Sequence, residues 1–560
     1  LKLSHFPSEL WNSQRAALRA GLLDRQYDSW GIGAPTGTGK TFLSRLLIIN
    51  TLENSPNDKV LYIVPSRALV YEVEADLKKT LAVFGYTVTA VTPQLVDLDR
   101  EESQEIDESS VLVLTPEKAD MLLRIGGVFE DLSLVIVDEA HHIESSTRGI
   151  LLEMYLWRLK TLTVPGRTRF VFLSAVAPNI AEIVQWMGRN PKSTVVSQRP
   201  TRMRAGVYDI SGSGKKAKGT IKYTEGTVLD ILPSGVESGQ KRRLVQLSAI
   251  LGVSGPVLVV AKGKGECETL SKLMMEYLDA HPNARPRTPS ADAELLERLD
   301  SRLEREMYPA VALRALVKHG VGYHHAGLPP RVRTVLEDSI RRGDIHFVFA
   351  TTTLAEGVNF PFSTVLVESL ALREAPQAGR PSRYFPITPR VFWNLAGRAG
   401  RPFFDKEGQV ILFGPTLGLD KINASISDYL NPTLTVTQPV VGALSTSIRD
   451  ISELLTTGEL TLEQLSAASL TAAMPSKVRG AINNIRVSLL HARASRLSVS
   501  PEEILEGTFA HAEMDASQQS VAAELFRSQG IVVDEFLSTQ EPEIENIAAE
   551  VGLSIETLLD

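Results

Sequence analysis

The stretch Ala34-Pro-Thr-Gly-Thr-Gly-Lys40-Thr41 is the strongest local signal in the sequence, and it runs directly into the apolar helical pattern Phe42–Ile49. A glycine loop ahead of a helix presents backbone N–H groups and the positive end of the helix dipole to phosphate. In such a loop Lys40 reaches the β- and γ-phosphates, and the Thr41 hydroxyl is a ligand for Mg²⁺. The stretch therefore predicts a nucleotide-binding loop, whose other residues are Pro35, Thr36, Gly37, Thr38 and Gly39.

An acidic pair follows a second apolar strand. Leu134–Val137 ends in Asp138-Glu139-Ala140-His141. The carboxyl end of a parallel strand is where a carboxylate can hold the magnesium of a bound nucleotide. A second acid beside it can orient and deprotonate the attacking water. We therefore predict Asp138 as a Mg²⁺ ligand and Glu139 as a catalytic residue, together with Lys40.

Two parts of the chain alternate short β-branched runs with helical patterns, which is typical of parallel-sheet α/β domains. After about residue 422 the pattern becomes helical, in Leu454–Leu465 and Val478–Leu490. The predicted strands are Val60–Val64, Val111–Leu114, Leu134–Val137 and Phe170–Leu173 in the first part, and Val257–Val260, His346–Ala350, Thr364–Glu368 and Gln409–Phe413 in the second.

Composition indicates a soluble, multidomain protein. The chain has 560 residues, of which 43% are hydrophobic and 22% charged, and this length predicts three to five domains at about 150 residues each. No apolar run is long enough to span a bilayer, and the N-terminus has no secretion signal, so we expect a cytoplasmic protein. The first residue is Leu1 rather than Met, which is typical of a piece of a longer protein.

The single cysteine, Cys267, excludes an internal disulfide, a multi-cysteine zinc site and a four-cysteine iron–sulfur cluster. The net charge of -7 is unevenly distributed. Residues 501–560 hold 14 acidic residues and one basic residue, which leaves 58 basic and 52 acidic residues in positions 1–500, a net of +6. The acidic tail therefore masks a mildly positive net charge of residues 1–500, which is compatible with nucleic-acid binding.

The sequence resembles superfamily two helicases of the DExH type in a set of motifs that run in order from Gln14 to Arg401. Besides the loop and the acidic pair, these motifs are Pro65-Ser-Arg-Ala-Leu69, Thr115-Pro-Glu-Lys118, Ser174-Ala-Val176, Ala350-Thr-Thr-Thr-Leu-Ala-Glu-Gly357-Val-Asn359 and Gly397-Arg398-Ala-Gly400-Arg401. Within that superfamily, Gly322-Tyr-His-His325-Ala-Gly-Leu-Pro329 and Arg199-Pro-Thr-Arg-Met-Arg204 resemble the superkiller (Ski-type) branch, which includes RNA-exosome, archaeal DNA-repair and antiviral-defence helicases.

The resemblance implies a role for each matching residue. Gln14 would read adenine, and Gly357 and Asn359 would complete the nucleotide site. His141 and Ser174 would couple nucleotide state to strand movement. The residues expected to contact nucleic acid are Ser66, Arg67, Thr115, Pro116, His324, His325, Thr351 and Thr352.

The resemblance also implies the architecture, an α/β fold of two tandem RecA-like P-loop domains followed by a mainly helical region that could include a winged helix. We expect the first RecA-like domain at residues 1–198 and the second at 251–422, joined by a linker or insertion at 199–250. An accessory domain at 423–500 and an acidic helical segment at 501–560 would follow.

Arg398 and Arg401 are the candidate arginine fingers. Charge supplied to the γ-phosphate from a second domain is worth about 10³–10⁵ in rate. The spacing of three predicts that both guanidinium groups lie on one helix face.

Two interpretations remain open for several features of the sequence. The aromatic and proline residues between 362 and 393 could form a strand-separating β-hairpin, as in related helicases, or could pack in the core. The basic residues within Lys477–Arg496 could bind phosphates or form a solvated face, and the acidic tail could bind a partner or be an ordinary helical surface. The adjacent pairs His141-His142 and His324-His325 do not converge on one centre, so we do not expect zinc.

Two residues depart from the family pattern. Val176 replaces a threonine that links hydrolysis to strand separation, so unwinding could be weak. Asn394 replaces a glutamine and shortens one contact by a methylene group. We expect an ATP- and Mg²⁺-dependent translocase, moving 3′-to-5′ on single-stranded DNA or RNA or on a duplex with an overhang. The alternative is a nucleic-acid-gated ATPase sensor that controls a partner nuclease in antiviral defence.

Overall fold

A computed structural model of the chain describes residues 9–539, apart from 36, 92–99, 126–130, 165, 176, 197–198, 200, 286–295, 300, 302–309, 353–359, 361, 374–383, 401–404, 406, 423, 431–438, 468–469, 471–473 and 495–498. The chain forms two compact units. The first comprises Leu1–Ala34, Gly39–Gln198 and Gln438–Asp560, and the second comprises Pro35–Thr38 and Arg199–Thr437.

The first unit contains a seven-stranded sheet. Its strands are β1 (Ser29–Gly33), β2 (Lys59–Ile63), β3 (Val88–Ala90), β4 (Val111–Leu114), β5 (Leu132–Val137), β6 (Arg169–Ser174) and β7 (Pro191–Val195). They lie in the order β3-β4-β2-β5-β6-β1-β7, and all neighbours are parallel. The four strands predicted for this part are confirmed, with ends shifted by at most two residues. The pattern missed β1, which contains Gly31 and Gly33, the short β3, and the polar edge strand β7.

Helices cover both faces of this sheet. They are α1 (Asn12–Arg19), α2 (Lys40–Asn54), α3 (Arg67–Leu81), α4 (Arg100–Glu108), α5 (Pro116–Ile125), α6 (Ser146–Leu162) and α7 (Ile180–Met187). Successive side chains of a strand point to opposite faces. Along β2, Val60 and Tyr62 accordingly pack in one core with α2 and α3, and Leu61 and Ile63 pack in another with α5 and α6.

The second unit contains an eight-stranded sheet and a separate β-hairpin. The strands are β8 (Arg202–Ser211), β9 (Lys218–Tyr223), β10 (Val228–Leu232), β11 (Val257–Val260), β12 (Val321–His324), β13 (Phe347–Ala350), β14 (Thr364–Val367), β15 (Ala371–Arg373), β16 (Tyr384–Pro386) and β17 (Glu407–Phe413). The sheet order is β10-β9-β8-β17-β14-β11-β13-β12, and β15 pairs with β16. The four strands predicted for this part are again confirmed within two residues.

Residues 199–250, expected to be a linker or insertion, contribute three strands to the sheet of the second unit. Strand β8 pairs in parallel with β17 over seven residues, and β9 and β10 continue the sheet in antiparallel fashion. The composition is misleading because β9 and β10 lie at the edge of the sheet, where exposed polar residues are tolerated, such as Lys218 and Lys222 of β9 and Asp230 of β10. The helices of this unit are α8 (Gln240–Leu251), α9 (Lys264–Ala280), α10 (Ala310–Lys318), α11 (Pro330–Arg342), α12 (Pro389–Ala396) and α13 (Ile426–Leu430).

The C-terminal helices belong to the first unit and share a core with α6. They are α14 (Ala443–Thr457), α15 (Leu462–Leu465), α16 (Ser476–Ala494), α17 (Pro501–Glu506), α18 (Phe509–Glu513) and α19 (Ala516–Thr539). Ile150, Met154 and Trp157 of α6 pack in one cluster with apolar residues from these helices. The pattern Leu454–Leu465 is two helices rather than one, because Gly458 adopts a left-handed φ of 73° between them. Described residues between 443 and 539 are helices and their connections, and the winged-helix assignment stays a prediction.

Buried residues place the described part of the acidic segment, 501–539, within the folded unit. Ile504 of α17 and Phe526 of α19 are fully buried. Within the described ranges, no helix has the length and apolar composition needed to cross a membrane.

Candidate nucleotide-binding site

Three of the predicted motifs meet at one edge of the first sheet. Strand β6 lies between β5 and β1, and the three strands are parallel, so their carboxyl ends are neighbours. The glycine loop follows β1, Ser174 ends β6, and Asp138 follows β5. The Ala34 N–H donates to the Ser174 carbonyl at 2.9 Å, which joins the start of the loop to β6. Ligands of open α/β sheets bind at this edge.

The glycine loop has the backbone that its sequence predicts. Gly37 and Gly39 have φ values of 76° and 83°, in the left-handed region that glycine adopts without strain. Gly39 is also the residue immediately before α2, so the free N–H groups of that helix begin here. The Lys40 ammonium donates to the Ala34 carbonyl at 3.0 Å, and Thr41 is exposed on the first turn of α2. The loop thus offers an anion the start of a helix and a lysine.

Gln14 lies against the glycine loop. Its Oε1 accepts the Trp11 N–H at 2.9 Å within the first turn of α1, and its Nε2 lies 3.5 Å from the Gly39 carbonyl oxygen. A Cβ atom on Gly39 would collide with the Gln14 amide, so glycine is required for this close approach. The adenine-reading role of Gln14 stays a prediction.

Asp138 is held by two hydrogen bonds. Its Oδ1 accepts the Glu139 N–H at 2.9 Å, and its Oδ2 accepts the Tyr62 hydroxyl at 3.1 Å. Burial raises the pKa of the Asp138 carboxyl to about 6, the charge of Glu139 adds to the rise, and Lys40 opposes it. A cation would stabilise the charged carboxylate, and Mg²⁺ prefers oxygen ligands. Asp138 and the Thr41 hydroxyl therefore fit the predicted Mg²⁺ site.

Glu139 has a strained backbone. Among the described residues other than glycine, it alone has a positive φ, at 51°, a conformation that costs about 1–3 kcal/mol and is typical of functional sites. His141 Nδ1 lies 3.4 Å from Glu139 Oε2 and 3.2 Å from Ser174 Oγ. All three side chains are buried. The structure thus brings the predicted catalytic acid and the two predicted coupling residues into one cluster.

Arg148 connects the two first-unit segments that are expected to contact nucleic acid. Its Nη2 donates to the Pro65 carbonyl at 2.8 Å and its Nε donates to Glu117 at 2.5 Å. Pro65 precedes Ser66 and Arg67 at the start of α3, and Glu117 lies in the first turn of α5. Two helix N-termini, which favour phosphate, are therefore held side by side.

Exposure differs among the four predicted contact residues of these segments. Ser66 caps α3 by accepting the Leu69 N–H at 3.4 Å, and Arg67 is exposed. Thr115 and Pro116 are buried, so a phosphate would meet backbone groups there rather than side chains.

In the second unit, His324, His325, Thr351 and Thr352 come together at the carboxyl ends of β12 and β13, which are parallel neighbours. The Thr351 N–H donates to the His324 carbonyl at 3.3 Å. Both histidines are buried: His324 Nε2 lies 2.8 Å from Glu337, and His325 Nε2 lies 3.3 Å from Glu268. Burial lowers the pKa of His325, in opposition to Glu268. Their side chains pack within the unit.

Arg398 does not lie on a helix, which corrects the prediction for the arginine pair. Helix α12 ends at Ala396, and Gly400 has a φ of 88°, which no α-helix accommodates. Ala399 instead forms a bridge with Phe362, and the Gly400 N–H donates to the Phe362 carbonyl at 2.8 Å. Arg398 is buried on this turn.

Four predicted site residues, Thr36, Gly357, Asn359 and Arg401, lie outside the described residues, as does Val176. Of the basic residues within 477–496, Arg486 and Arg493 do not share one solvent-exposed face. Arg486 is fully buried and donates to Gln529 at 2.8 Å and to the Ala467 carbonyl at 2.6 Å. Arg493 pairs with Asp534.

The β-hairpin formed by β15 and β16 lies where the resemblance implied one. Tyr384 and Phe385 on it are exposed, whereas Phe362 is fully buried. Phe362 therefore packs in the core, whereas a strand-separating role of Tyr384 and Phe385 stays a prediction.

Sequence reasoning missed three residues of these sites. Tyr62 is hidden in an apolar strand, and Arg148 lies in a helix far from both segments it joins. Arg199 belongs to a motif that was recognised, but its contact was not foreseen: its Nη2 donates to the Gly397 carbonyl at 2.7 Å, and burial lowers its pKa to about 10. Only the Arg199 motif offered a signal, because the other two contacts exist only after folding.

Comparison with known proteins identifies two domains. Residues 11–183 match the DEAD/DEAH box helicase family, and residues 297–402 match the helicase conserved C-terminal domain. The chain is 30% identical over 424 residues to the ATP-dependent DNA helicase Hel308 of Caldivirga maquilingensis, and 31% identical over 415 residues to that of Pyrobaculum calidifontis. It is 29% identical over 432 residues to the Hachiman protein HamB of Bacillus cereus.

These matches cover 75%, 73% and 72% of this chain, respectively. They cover 51% and 53% of the two Hel308 proteins and 36% of HamB. The chain therefore spans about half, or less, of the length of these relatives.

Proposed function

We propose a function from the premise that this chain belongs to the superfamily two helicases of the Ski type, since it carries a DEAD/DEAH box domain followed by a helicase C-terminal domain. The chain is proposed to hydrolyse ATP and to use that energy to move 3′-to-5′ along a single strand of nucleic acid. DNA is the substrate we infer, because the Hel308 relatives are named DNA helicases.

One observation carries the proposal. The glycine loop with Lys40, the Asp138–Glu139 pair and the His141–Ser174 contact occupy one edge of a single parallel sheet. A phosphate-binding loop alone fits many nucleotide-binding proteins. A strained acid beside that loop, linked through a histidine to the next strand, fits a motor in which hydrolysis must change the conformation of the rest of the protein.

Each residue at this edge has a distinct proposed task. Lys40 and the N-terminus of α2 bind the phosphates, and Glu139 orients and deprotonates the attacking water. Asp138 and Thr41 would hold Mg²⁺, which neutralises charge on the phosphates when it is bound. Arg398 and Arg401 remain the proposed donors of positive charge to the γ-phosphate, a role that kinetics of their variants must test.

Binding of the strand is proposed to be dominated by phosphate contacts. The first-unit contacts are the starts of α3 and α5 near Arg148. Affinity should then fall with salt, with a log–log slope of about -0.7 for each phosphate neutralised on a single strand. Sequence preference should be small, because phosphate contacts carry no base information.

Steady-state ATPase tests this proposal. Turnover is measured without nucleic acid and with single-stranded DNA, single-stranded RNA or duplexes bearing either overhang. The Glu139→Gln variant should lower turnover by about 10²–10⁴, the usual range for a general base. Glu524→Gln, at an exposed position of α19, is the matched control and should not change turnover. ATPase turnover that is absent, or that no nucleic acid stimulates, would contradict a motor that needs no protein partner.

A second candidate is a nucleic-acid-gated ATPase that controls a partner nuclease in antiviral defence. The similarity to the Hachiman protein HamB, together with the resemblance to defence helicases, favours it. Strand-displacement assays separate the two, because a translocase displaces a strand by itself, whereas a sensor hydrolyses ATP with little displacement until a partner is added.

A further inference from the structure

A cavity of about 300 Å³ opens at the edge of the first sheet opposite to the nucleotide site. It lies where β1, β2 and β6 begin, so it is at their amino ends. Its lining consists of Arg25, Asp28, Ser55, Asp58, Gly166, Arg167, Thr168 and Arg169. The lining contains three arginines. Arg167 has acidic partners, whereas Arg25 and Arg169 have no ion pair among the described residues.

Arg169, the first residue of β6, is buried, and two of its guanidinium nitrogens have no partner in the described part of the chain. It is 8% exposed, and its Nε and Nη2 atoms lack any acceptor among the described residues. Its guanidinium group lies 5.7 Å from the centre of the Trp30 ring. Nε–H and an Nη–H of one guanidinium can together donate to two oxygens of a carboxylate or phosphate. Burying such donors without an acceptor is unfavourable, so an acceptor is expected here.

Arg25 lines the same cavity, and its charge also lacks an acidic partner among the described residues. Within the described part of the chain, it makes one long hydrogen bond, from Nη1 to Ser55 Oγ at 3.4 Å, and no ion pair. Burial lowers the pKa of Arg169 to about 10, the positive charge of Arg25 contributes to that fall, and the charges of Asp24 and Asp28 oppose it. Arg25 and Arg169 both line this cavity, and two like charges around one cavity favour an anion between them.

The nearby carboxylates are already engaged. Asp28 accepts the backbone N–H groups of Asn190 and Arg189, each at 2.9 Å. Asp58 pairs with Arg167 at 3.3 Å, and Arg167 also pairs with Asp131 at 2.7 Å. Asp24 accepts two hydrogen bonds from Gln26. The acids therefore neutralise Arg167 but leave the donors of Arg25 and Arg169 available.

We propose that this cavity is a second anion site, which binds the phosphate group of a small molecule between Arg169 and Arg25. Its volume is at the lower end for small-molecule sites, so the ligand would be free phosphate or a compact phosphomonoester rather than a polymer. The site is independent of the nucleotide site, which lies at the other end of the same strands.

Isothermal titration of the full chain tests the proposal, with the nucleotide site saturated by Mg²⁺ and a non-hydrolysable ATP analogue. Inorganic phosphate and ribose 5-phosphate are the two probes, and they distinguish free phosphate from a phosphomonoester. Arg169→Met and Arg25→Met should each weaken binding at least about tenfold, because a hydrogen bond to a charged group is lost. Arg527→Met is the matched control, since Arg527 is exposed and pairs with Glu502 on α17.

Binding of either probe by the wild-type chain, weakened in both cavity variants and unchanged in the control, supports the site. No binding of either probe at millimolar concentration overturns it, and so does binding that neither cavity variant weakens. If Arg169→Met does not fold, Arg25→Met decides alone, because Arg25 is an exposed surface residue.

Discussion

His141 Nδ1 lies 3.2 Å from the hydroxyl of Ser174, although the two residues are 33 positions apart. His141 follows β5 and Ser174 ends β6, so the contact spans two neighbouring strands. The same ring nitrogen is 3.4 Å from Glu139. One imidazole therefore connects the proposed catalytic acid to the strand beside it.

The first prediction tests this connection with a double-mutant cycle. His141→Ala and Ser174→Ala should each reduce strand displacement more than ATPase turnover, because each removes the link and leaves Lys40 and Glu139 in place. Contacting residues have interaction energies of about 0.5–3 kcal/mol, so the double variant should be little worse than either single one. Additive losses in displacement would show that the two side chains act separately.

Tyr62 should control the affinity for Mg²⁺. Its hydroxyl donates to Asp138 Oδ2 at 3.1 Å, so Tyr62→Phe removes a group that orients the proposed metal ligand. Loss of such a partner usually lowers metal affinity by about 10–100-fold. The Mg²⁺ concentration for half-maximal ATPase should rise, with a smaller change at saturating Mg²⁺.

The matched control for this change is Tyr155→Phe. Tyr155 is also buried, and its hydroxyl has no hydrogen-bond partner among the described residues. An equal shift in Mg²⁺ dependence for both variants would rule out a specific role for Tyr62.

The hairpin aromatics should matter for unwinding and not for hydrolysis. Tyr384 and Phe385 are 40% and 47% exposed, and bases stack on such rings with about 1–3 kcal/mol each. The double variant Tyr384→Ala/Phe385→Ala should keep DNA-stimulated ATPase and slow strand displacement. Leu229→Ala, at an exposed apolar position on β10, controls for general surface effects. Unchanged displacement in the hairpin variant would assign those rings no part in strand separation.

Glu153 should make stability depend on pH. It is fully buried in α6, and its Oε1 accepts the Ala510 N–H at 2.8 Å. Burial raises the pKa of its carboxyl from 4.5 to about 8, and the charge of Glu513 adds to the rise. The folded state therefore holds the proton more tightly than the unfolded state, and stability should fall as pH rises from about 4.5 to about 8.

Urea unfolding between pH 5 and pH 8, with about half-unit steps, checks this expectation. Glu153→Gln should remove much of the slope, worth a few kcal/mol at most, because a neutral amide has no proton to lose. Glu524→Gln should leave the slope unchanged. A wild-type chain that gains stability across this range, or a slope that survives Glu153→Gln, would contradict the assignment.

Local patterns were sufficient for the parts of the site that are continuous in sequence. The glycine loop, the Asp138–Glu139 pair and eight of the strands were predicted, because each depends on residues within a few positions of one another. The strands within the expected linker or insertion at 199–250 were not predicted, and the helical placement of Arg398 was wrong. Outer strands tolerate exposed polar residues, which weakens their pattern, and the turn at Gly400 depends on pairing with Phe362, which is distant in sequence.

The sequence alone determined the family, the order of the motifs and the alternation of strands and helices, because these depend on composition and short-range spacing. Only the tertiary structure decided which side chains meet. It placed Tyr62 on Asp138, Arg148 between two helix starts, and Arg169 and Arg25 around one cavity. Such contacts depend on strand order and packing, which join residues that no local pattern connects.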